Sequence, residues 1–181
     1  MKKIAGTSGV REMREELRYY GISPAKTFGQ NYLVDDSVLY RIVEAAELTS
    51  KDRIIEIGAG LGNLTKELAE RAGEVIAFET DPRAIKALQN LQQKYPRLQI
   101  IHADVTQYPI TSLLKEPYKI ISNLPYGITS WVFREFITEQ ALLAVLLVQK
   151  EVAERVCAKP GDMSLLSVAV QLFGKPEILK T

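Results

Sequence analysis

Two clusters of residues in this sequence carry chemistry. The first is Glu56-Ile57-Gly58-Ala59-Gly60-Leu61-Gly62, followed downstream by Glu79 and Asp104. Glycines at alternate positions let a backbone turn sharply and let a ligand approach where a Cβ would block it. The spacing is Gly-x-Gly-x-Gly, not the Gly-x-Gly-x-x-Gly of dinucleotide folds. Glu79 stands 21 residues after Gly58. A carboxylate there can accept hydrogen bonds from both hydroxyls of a ribose. Asp104 follows the next apolar run, where a side chain can meet an adenine edge. A tight β–α turn with two solvated carboxylates would contain the same glycines. Acidic residues after the next two strands tip the reading to a nucleotide-like ligand.

The second cluster is Asn123-Leu124-Pro125-Tyr126. An exocyclic amine has hydrogens to donate. The Asn123 side-chain oxygen and the Leu124 carbonyl can accept them. Pro125 stiffens the direction of that carbonyl because its ring fixes φ. Tyr126 offers a face on which a planar base can stack, worth roughly 1–3 kcal/mol. A proline turn with a half-buried tyrosine is the plainer reading of these four residues taken alone.

Strands and helices must alternate to bring these clusters together. Arg53–Ile57 is a short β-branched run immediately before the glycines, and Asn63–Ala72 reads as the helix after them. Strands then follow at Val75–Phe78, Leu98–His102, Tyr118–Ser122 and Leu142–Val148. Helices are expected at Pro82–Tyr95, near Ser130–Thr138, and at Glu151–Ala158 and Leu165–Phe173. Asp81 is the cap of the first of these, with Pro82 in its first turn. Val10–Tyr20 reads as a charged helix, and Val38, Leu39, Ile42, Val43 and Ala46 form the apolar stripe of another. Alternating strands and helices predict a largely parallel sheet with helices on both faces. Both clusters then lie on one rim of that sheet.

Composition removes several function classes. The chain has 181 residues, 46% apolar and 25% charged, which suits one domain with its own core. Cys157 is the single cysteine, so no internal disulfide forms. With His102 as the single histidine, no zinc knuckle or His/Cys metal cluster can be built, and no metal is expected. A Ser-His-Asp hydrolase would depend on His102 alone. Net charge is +1, which gives no global electrostatic attraction to nucleic acid. The longest apolar run, Ala141–Val148, has eight residues, far short of a membrane span. The N-terminus lacks the hydrophobic core of a signal peptide, so a cytoplasmic protein is expected.

Three further stretches narrow the reading. They are Phe28-Gly29-Gln30-Asn31-Tyr32-Leu33, Leu147-Val148-Gln149-Lys150-Glu151-Val152-Ala153-Glu154-Arg155 and Leu166-Ser167-Val168-Ala169-Val170-Gln171. In this order and at these distances, the motifs resemble the ribosomal RNA adenine dimethyltransferase family. The resemblance covers about residues 10–180. It implies a Rossmann-like class I methyltransferase fold with strand order 3-2-1-4-5. It implies S-adenosylmethionine as cofactor and small-subunit ribosomal RNA, or a pre-ribosomal particle, as partner. By position, Gln30, Asn31 and Leu33 would lie at the methionine end, and Gly58, Gly60 and Gly62 would line the cofactor. Glu79 would hold the ribose, and Asp104 the adenine amine. Asn123, Leu124, Pro125 and Tyr126 would hold the target adenine, with Asn123 also beside the cofactor.

The resemblance also implies a longer chain, with an aromatic-proline segment, two more strands and a small basic helical domain. On that reading, residues 1–22 are an extension with a helix, and 23–181 a catalytic domain incomplete at its C-terminal end. The Leu142–Val148 strand would then lie at an open edge. It carries no charge, no proline and no bulge signal, and its side chains suit burial on both faces. Self-association through that edge, or cover by the Lys175–Thr181 tail, is expected. Two other readings share the motifs. One is a non-catalytic RNA-binding or ribosome-assembly module that keeps the fold. The other is a large-subunit RNA enzyme of the erythromycin-resistance type.

Overall fold

The β-branched runs at the centre of the chain become strands because helices cover both of their faces. The computed structural model describes residues 15–22 and 35–180. Five parallel strands form one sheet: β1 (Arg53–Ile57), β2 (Glu74–Glu79), β3 (Leu98–His102), β4 (Tyr118–Asn123) and β5 (Ala141–Leu147). Their order is β3-β2-β1-β4-β5, as the resemblance implied. Among the described residues, these helices cover them: α1 (Asp36–Ala45), α2 (Asn63–Ala69), α3 (Pro82–Lys94), α4 (Thr129–Phe136), α5 (Lys150–Val156) and α6 (Leu165–Gln171). The Rossmann-like α/β architecture is therefore present. No described helix is long and apolar enough to cross a membrane.

Alternate residues along a strand face opposite sides of the sheet. Ile54, Val75, Ala77, Ile121 and Val145 pack with Ile42 of α1, Leu64 and Leu68 of α2, and Ile85 and Leu88 of α3. Ile55, Ile57, Ile76, Phe78 and Ile120 pack with Val132, Phe133 and Phe136 of α4, Val156 of α5 and Val170 of α6. Each such side chain contributes roughly 1.5–3 kcal/mol on burial. An exposed pair such as Arg71–Glu67 contributes about 0–1 kcal/mol, so the two apolar layers decide the fold.

Helix ends follow local chemistry. Asp81 caps α3 by accepting from the Arg83 N–H at 2.9 Å, and Pro82 follows it, as expected. The helix after the glycines stops at Ala69 rather than Ala72. The chain must turn there past Ser50, whose carbonyl oxygen would lie 2.5 Å from a Cβ on Gly73. Residues 15–19 are helical, and the start of the expected Val10–Tyr20 helix lies outside the described residues. Leu17 and Ile22 pack on Leu61 of the glycine loop and on Ala84 and Ala87 of α3. Arg83 grips Asp81 through Nε and Nη2, at 2.9 and 2.7 Å, and donates from Nη1 to the Gly21 carbonyl at 3.1 Å.

Strands β1 and β4 pair only at Ile54↔Lys119 and Ile55↔Ile120, and then diverge. The order of the sheet reverses between them, so a crevice opens at their C-terminal ends. One side chain spans the divergence: Ser122 Oγ accepts from the Ile57 N–H at 2.7 Å.

The β5 edge corrects the sequence reading in two ways. Tyr118 pairs with Ala141, but Lys119 pairs with Leu143, so Leu142 is an extra residue in a bulge. A bulge needs no particular residue type and left no mark in an all-aliphatic run. Nor is β5 covered on both faces: Leu142 is 65% exposed, and only Val145 in the strand is fully buried. The tail does not pair with it. Beyond α6, the Leu179 carbonyl accepts from Arg41 Nη1 at 3.4 Å, and Lys180 Nζ donates to Ser37 Oγ at 3.3 Å, both on α1. The tail therefore passes from the α6 face to the α1 face. Among the described residues, no backbone hydrogen bond joins it to β5.

At the opposite end of the sheet, Lys119 closes α1. Its Nζ donates to the carbonyls of Ala46 and Glu47 at 3.0 and 2.8 Å, and to Asp52 at 3.1 Å. Burial works to raise the Asp52 pKa, but hydrogen bonds from Thr49 and Lys119 outweigh it and hold it below its usual value. Replacing Lys119 with Met would remove the Nζ donor from two helix-end carbonyls and leave the Asp52 carboxylate with Thr49 alone as its donor. We expect a loss of about 2–3 kcal/mol, measured as a lower urea midpoint at pH 7. The difference should shrink as pH falls through the depressed Asp52 pKa, because the stabilisation from that ionised carboxylate is lost there.

Candidate active site

The glycine loop leaves the end of β1 with both Gly58 and Ala59 N–H groups donating to the Phe78 carbonyl, at 2.9 and 3.1 Å. The φ values of Gly58, Gly60 and Gly62 are 77°, 58° and 91°, all in the left-handed region. Two of these glycines have identifiable neighbours. A Cβ on Gly58 would lie 3.0 Å from Pro125 Cγ and 3.1 Å from Pro125 Cδ. The loop after β1 and the loop after β4 are thus in direct contact. A Cβ on Gly62 would run into Leu91 and Leu88 of α3. Packing against a helix is a sufficient reason for that glycine, whatever ligand lies nearby.

Glu79 ends β2 and is no solvated carboxylate: it is 4% exposed. Its Oε2 accepts from the Gly60 N–H at 2.8 Å. Its Oε1 accepts from the N–H groups of Thr80 and Asp81 at 2.7 and 2.8 Å. An ionised carboxylate has about four acceptor sites. Three backbone donors use three of them and leave capacity on Oε2 for a ligand hydroxyl. Glu79 also holds the next strand, because its backbone carbonyl accepts from the Ala103 N–H at 3.1 Å. Asp104 follows at once. Its Oδ1 takes the Thr106 N–H and hydroxyl at 2.9 and 2.8 Å and caps a short turn at Val105–Gln107. The side chain is exposed on the rim.

Beside the crevice, the Leu124 N–H donates to the Leu147 carbonyl of β5 at 3.1 Å. The Leu124 side chain is buried in the core, and no described group donates to its carbonyl. The Pro125 carbonyl is occupied by the Ile128 N–H and the Thr129 hydroxyl, both at 3.2 Å. Tyr126 is 43% exposed, its ring available for stacking. The structure therefore brings Gly58, Gly60, Glu79, Asn123, Leu124, Pro125 and Tyr126 to one rim, with Asp104 two strands along. Gln30, Asn31 and Leu33 lie outside the described residues.

One residue of the first cluster received no role of its own in the sequence reading. Glu56 lies in β1, just before the loop, and is 1% exposed. Among the described residues, its Oε2 has no hydrogen-bond partner, nor has the buried hydroxyl of Thr65 on α2. Burial, reinforced by the negative charge of Glu79, pushes the Glu56 pKa up to about 8, with Thr65 acting in the opposite sense. The signal was present: an acidic residue inside a run of apolar strand positions is a local inconsistency of the kind functional sites show.

The donor set offers acceptors and backbone amides but no nucleophile or poised base. Exposed His102 interacts through Nε2 with the Thr80 carbonyl at 3.3 Å. Burial raises the Cys157 pKa, which disfavours a reactive thiolate. Among the described residues, no group of three His, Cys, Asp or Glu side chains is placed to hold a metal.

Comparison with known proteins gives concordant results. A family model described as ribosomal RNA adenine dimethylase matches residues 23–181. A ribosomal RNA small subunit methyltransferase A from Dehalococcoides mccartyi is 41% identical, over 93% of this chain and 59% of its own length. One of the same name from a Geobacillus species is 38% identical, over the whole of this chain and 65% of its own length. The chain thus spans about three-fifths of these relatives. Among solved structures, the 23S rRNA methyltransferase ErmE matches with TM-score 0.66 and 34% identity, over 76% of this chain and 56% of its own. A dimethyladenosine transferase from Plasmodium falciparum matches with TM-score 0.65 and 32% identity, over 76% and 51%. The class I methyltransferase fold is established by these likenesses.

Glu56 has a measurable consequence. Its folded pKa, about 8, lies above its ordinary 4.5, so the folded state keeps a proton that the unfolded chain releases. Wild-type stability should fall between those pH values, by up to about 1.4 kcal/mol per pH unit. Glu56→Gln lacks that titration. Urea unfolding at pH 5, 6.5 and 8 should show the variant gaining on the wild type as pH rises. A constant difference would contradict the assignment.

Proposed function

The chain belongs to the ribosomal RNA adenine dimethylase family, and from that premise we propose that it methylates adenine N6 in small-subunit ribosomal RNA with S-adenosylmethionine. The observation that carries the proposal is the contact between Gly58 and Pro125. It sets the loop suited to a nucleoside cofactor against the loop suited to an amine-bearing base. The residues present fit the cofactor. Glu79 has acceptor capacity for a ribose, Asp104 stands on the rim, and the left-handed loop exposes backbone to a ligand.

When bound, S-adenosylmethionine supplies an electrophilic methyl group. The protein's part is to hold and align. The Asn123 side-chain oxygen and the Leu124 carbonyl take the hydrogens of the adenine amine. That pairing favours a pyramidal nitrogen, whose lone pair is otherwise delocalised into the ring. Tyr126 stacks on the base, and the rigid 125–129 turn keeps these groups in register. The remainder is proximity, which in well-oriented systems contributes roughly 7–11 kcal/mol. A stacked or paired adenine must first swing out to reach this pocket.

The small-subunit substrate is favoured over the large-subunit one by the names and identity of the curated relatives. A ribosomal substrate, or a pre-ribosomal particle, supports the cytoplasmic location we propose. A second copy of the chain is the partner we propose for the open β5 edge, pairing over residues 143–147 beyond the bulge. Light scattering across a concentration series should show mass rising towards a dimer. A constant monomer mass would remove that partner.

Two substitutions separate the two halves of the site. Glu79→Ala should weaken cofactor binding by about 10- to 150-fold, the loss of a hydrogen bond to a charged group. It should also lower thermal stability, since three backbone donors lose their acceptor. Asn123→Ala should leave cofactor affinity near wild type while methyl transfer to small-subunit particles falls by 100-fold or more, about 3 kcal/mol of transition-state stabilisation. Calorimetry with S-adenosylmethionine and a tritium-transfer assay measure the pair. No heat of binding at millimolar cofactor would sink the reading.

A further inference from the structure

We infer that Gln149 and Lys150 grip the sugar-phosphate of the nucleotide whose adenine enters the site. This rests on the RNA-methylating reading above and deepens it by naming residues that meet the RNA backbone. Asn123 pairs across the sheet with Leu147. Leu147 and Val145 pack on the α1–α3 side, whereas Leu146 and Val148 pack on the other. The alternation therefore brings Gln149 back to the face that Asn123 shares with Leu147. Its backbone is extended, at φ −61° and ψ 145°, which carries it roughly 7 Å beyond Leu147 in the direction of the rim. Lys150 follows on the same rim.

Neither side chain is committed to the fold. Gln149 is the N-cap of α5, a position that Ser, Thr, Asp or Asn would fill with a capping hydrogen bond. Gln149 makes none; only its carbonyl serves the helix, accepting from Val152 and Ala153 at 3.0 and 3.1 Å. Lys150 is exposed, and its one ion pair is a 3.6 Å contact with exposed Glu154. Such a pair contributes little and yields readily to a phosphate. An amide with no side-chain hydrogen bond among the described residues, and an ammonium held only by an exposed ion pair, thus stand on the rim that also carries exposed Tyr126. Those are the groups that bind ribose hydroxyls and phosphates.

The test uses the full chain and a fluorescent RNA hairpin with adenines in its loop, with S-adenosylhomocysteine for binding and S-adenosylmethionine for turnover. Lys150→Ala should lower the slope of log affinity against log salt by about one, and Lys150→Arg should restore it. Gln149→Ala should raise KM for RNA by about two- to tenfold, with kcat close to wild type. Cofactor affinity should not change in any variant. Variants indistinguishable from a wild type that binds and methylates RNA would overturn this inference and leave the proposed function standing. Loss of cofactor affinity would also overturn it, by assigning the residues to the fold. A wild type that binds cofactor but no RNA at low salt would overturn both.

Discussion

Where Gly58 meets Pro125, a single added methyl group would press on the proline ring. That closeness organises the rim. Strands β1 and β4 separate after Ile55 and Ile120, so the ladder no longer fixes the distance between their ends. Ser122 spans part of the gap with one hydrogen bond, and the glycine–proline contact closes it at the level of the loops. Each loop is held independently as well. The first hangs from the Phe78 carbonyl of β2, and the second from the Leu147 carbonyl of β5. Donor and acceptor halves are therefore referred to opposite sides of the sheet and meet at one van der Waals contact.

Glu79 plays the corresponding part for polar groups. Backbone amides of Gly60, Thr80 and Asp81 converge on one carboxylate, tying the glycine loop to the start of α3. Asp81 in turn is held below the usual carboxylate pKa by its hydrogen bonds from Arg83, which also reaches the carbonyl of Gly21. The segment before the site is thus connected to the ribose-suited position through three residues. Beneath this network, Glu56 stays protonated at neutral pH because burial disfavours its charge and Glu79 already carries one.

Much of this was legible in the sequence because it depends on short-range pattern. Ile54-Ile55-Glu56-Ile57 and Val75-Ile76-Ala77-Phe78 had to be buried strands, and Asp81-Pro82 had to start a helix. The rim positions of Glu79, Asp104 and Asn123 followed from placing each after a strand. What escaped depends on tertiary neighbours. Gly62 owes its place to Leu88 and Leu91, which lie in another helix. The short turns at Val105–Gln107 and Ile110–Lys115 carry no periodic signal. The exposure of β5 depends on what lies beside it, and its hydrophobicity alone pointed the other way.

The bulge at Leu142 has a consequence for how this sheet tolerates change. Strand β5 is fixed at both ends, by Tyr118 against Ala141 at the foot and by Asn123 against Leu147 at the rim. Side chains alternate, so in a regular strand one inserted or deleted residue would turn every later side chain to the other face. A bulge absorbs one residue of slack without passing it on. The foot of β5 can therefore shift relative to α4 while the phase at Leu147, and of the chain leaving it, stays constant. Leu142 works as an expansion joint: a residue gained or lost at the foot is taken up on the side of the sheet away from the chemistry.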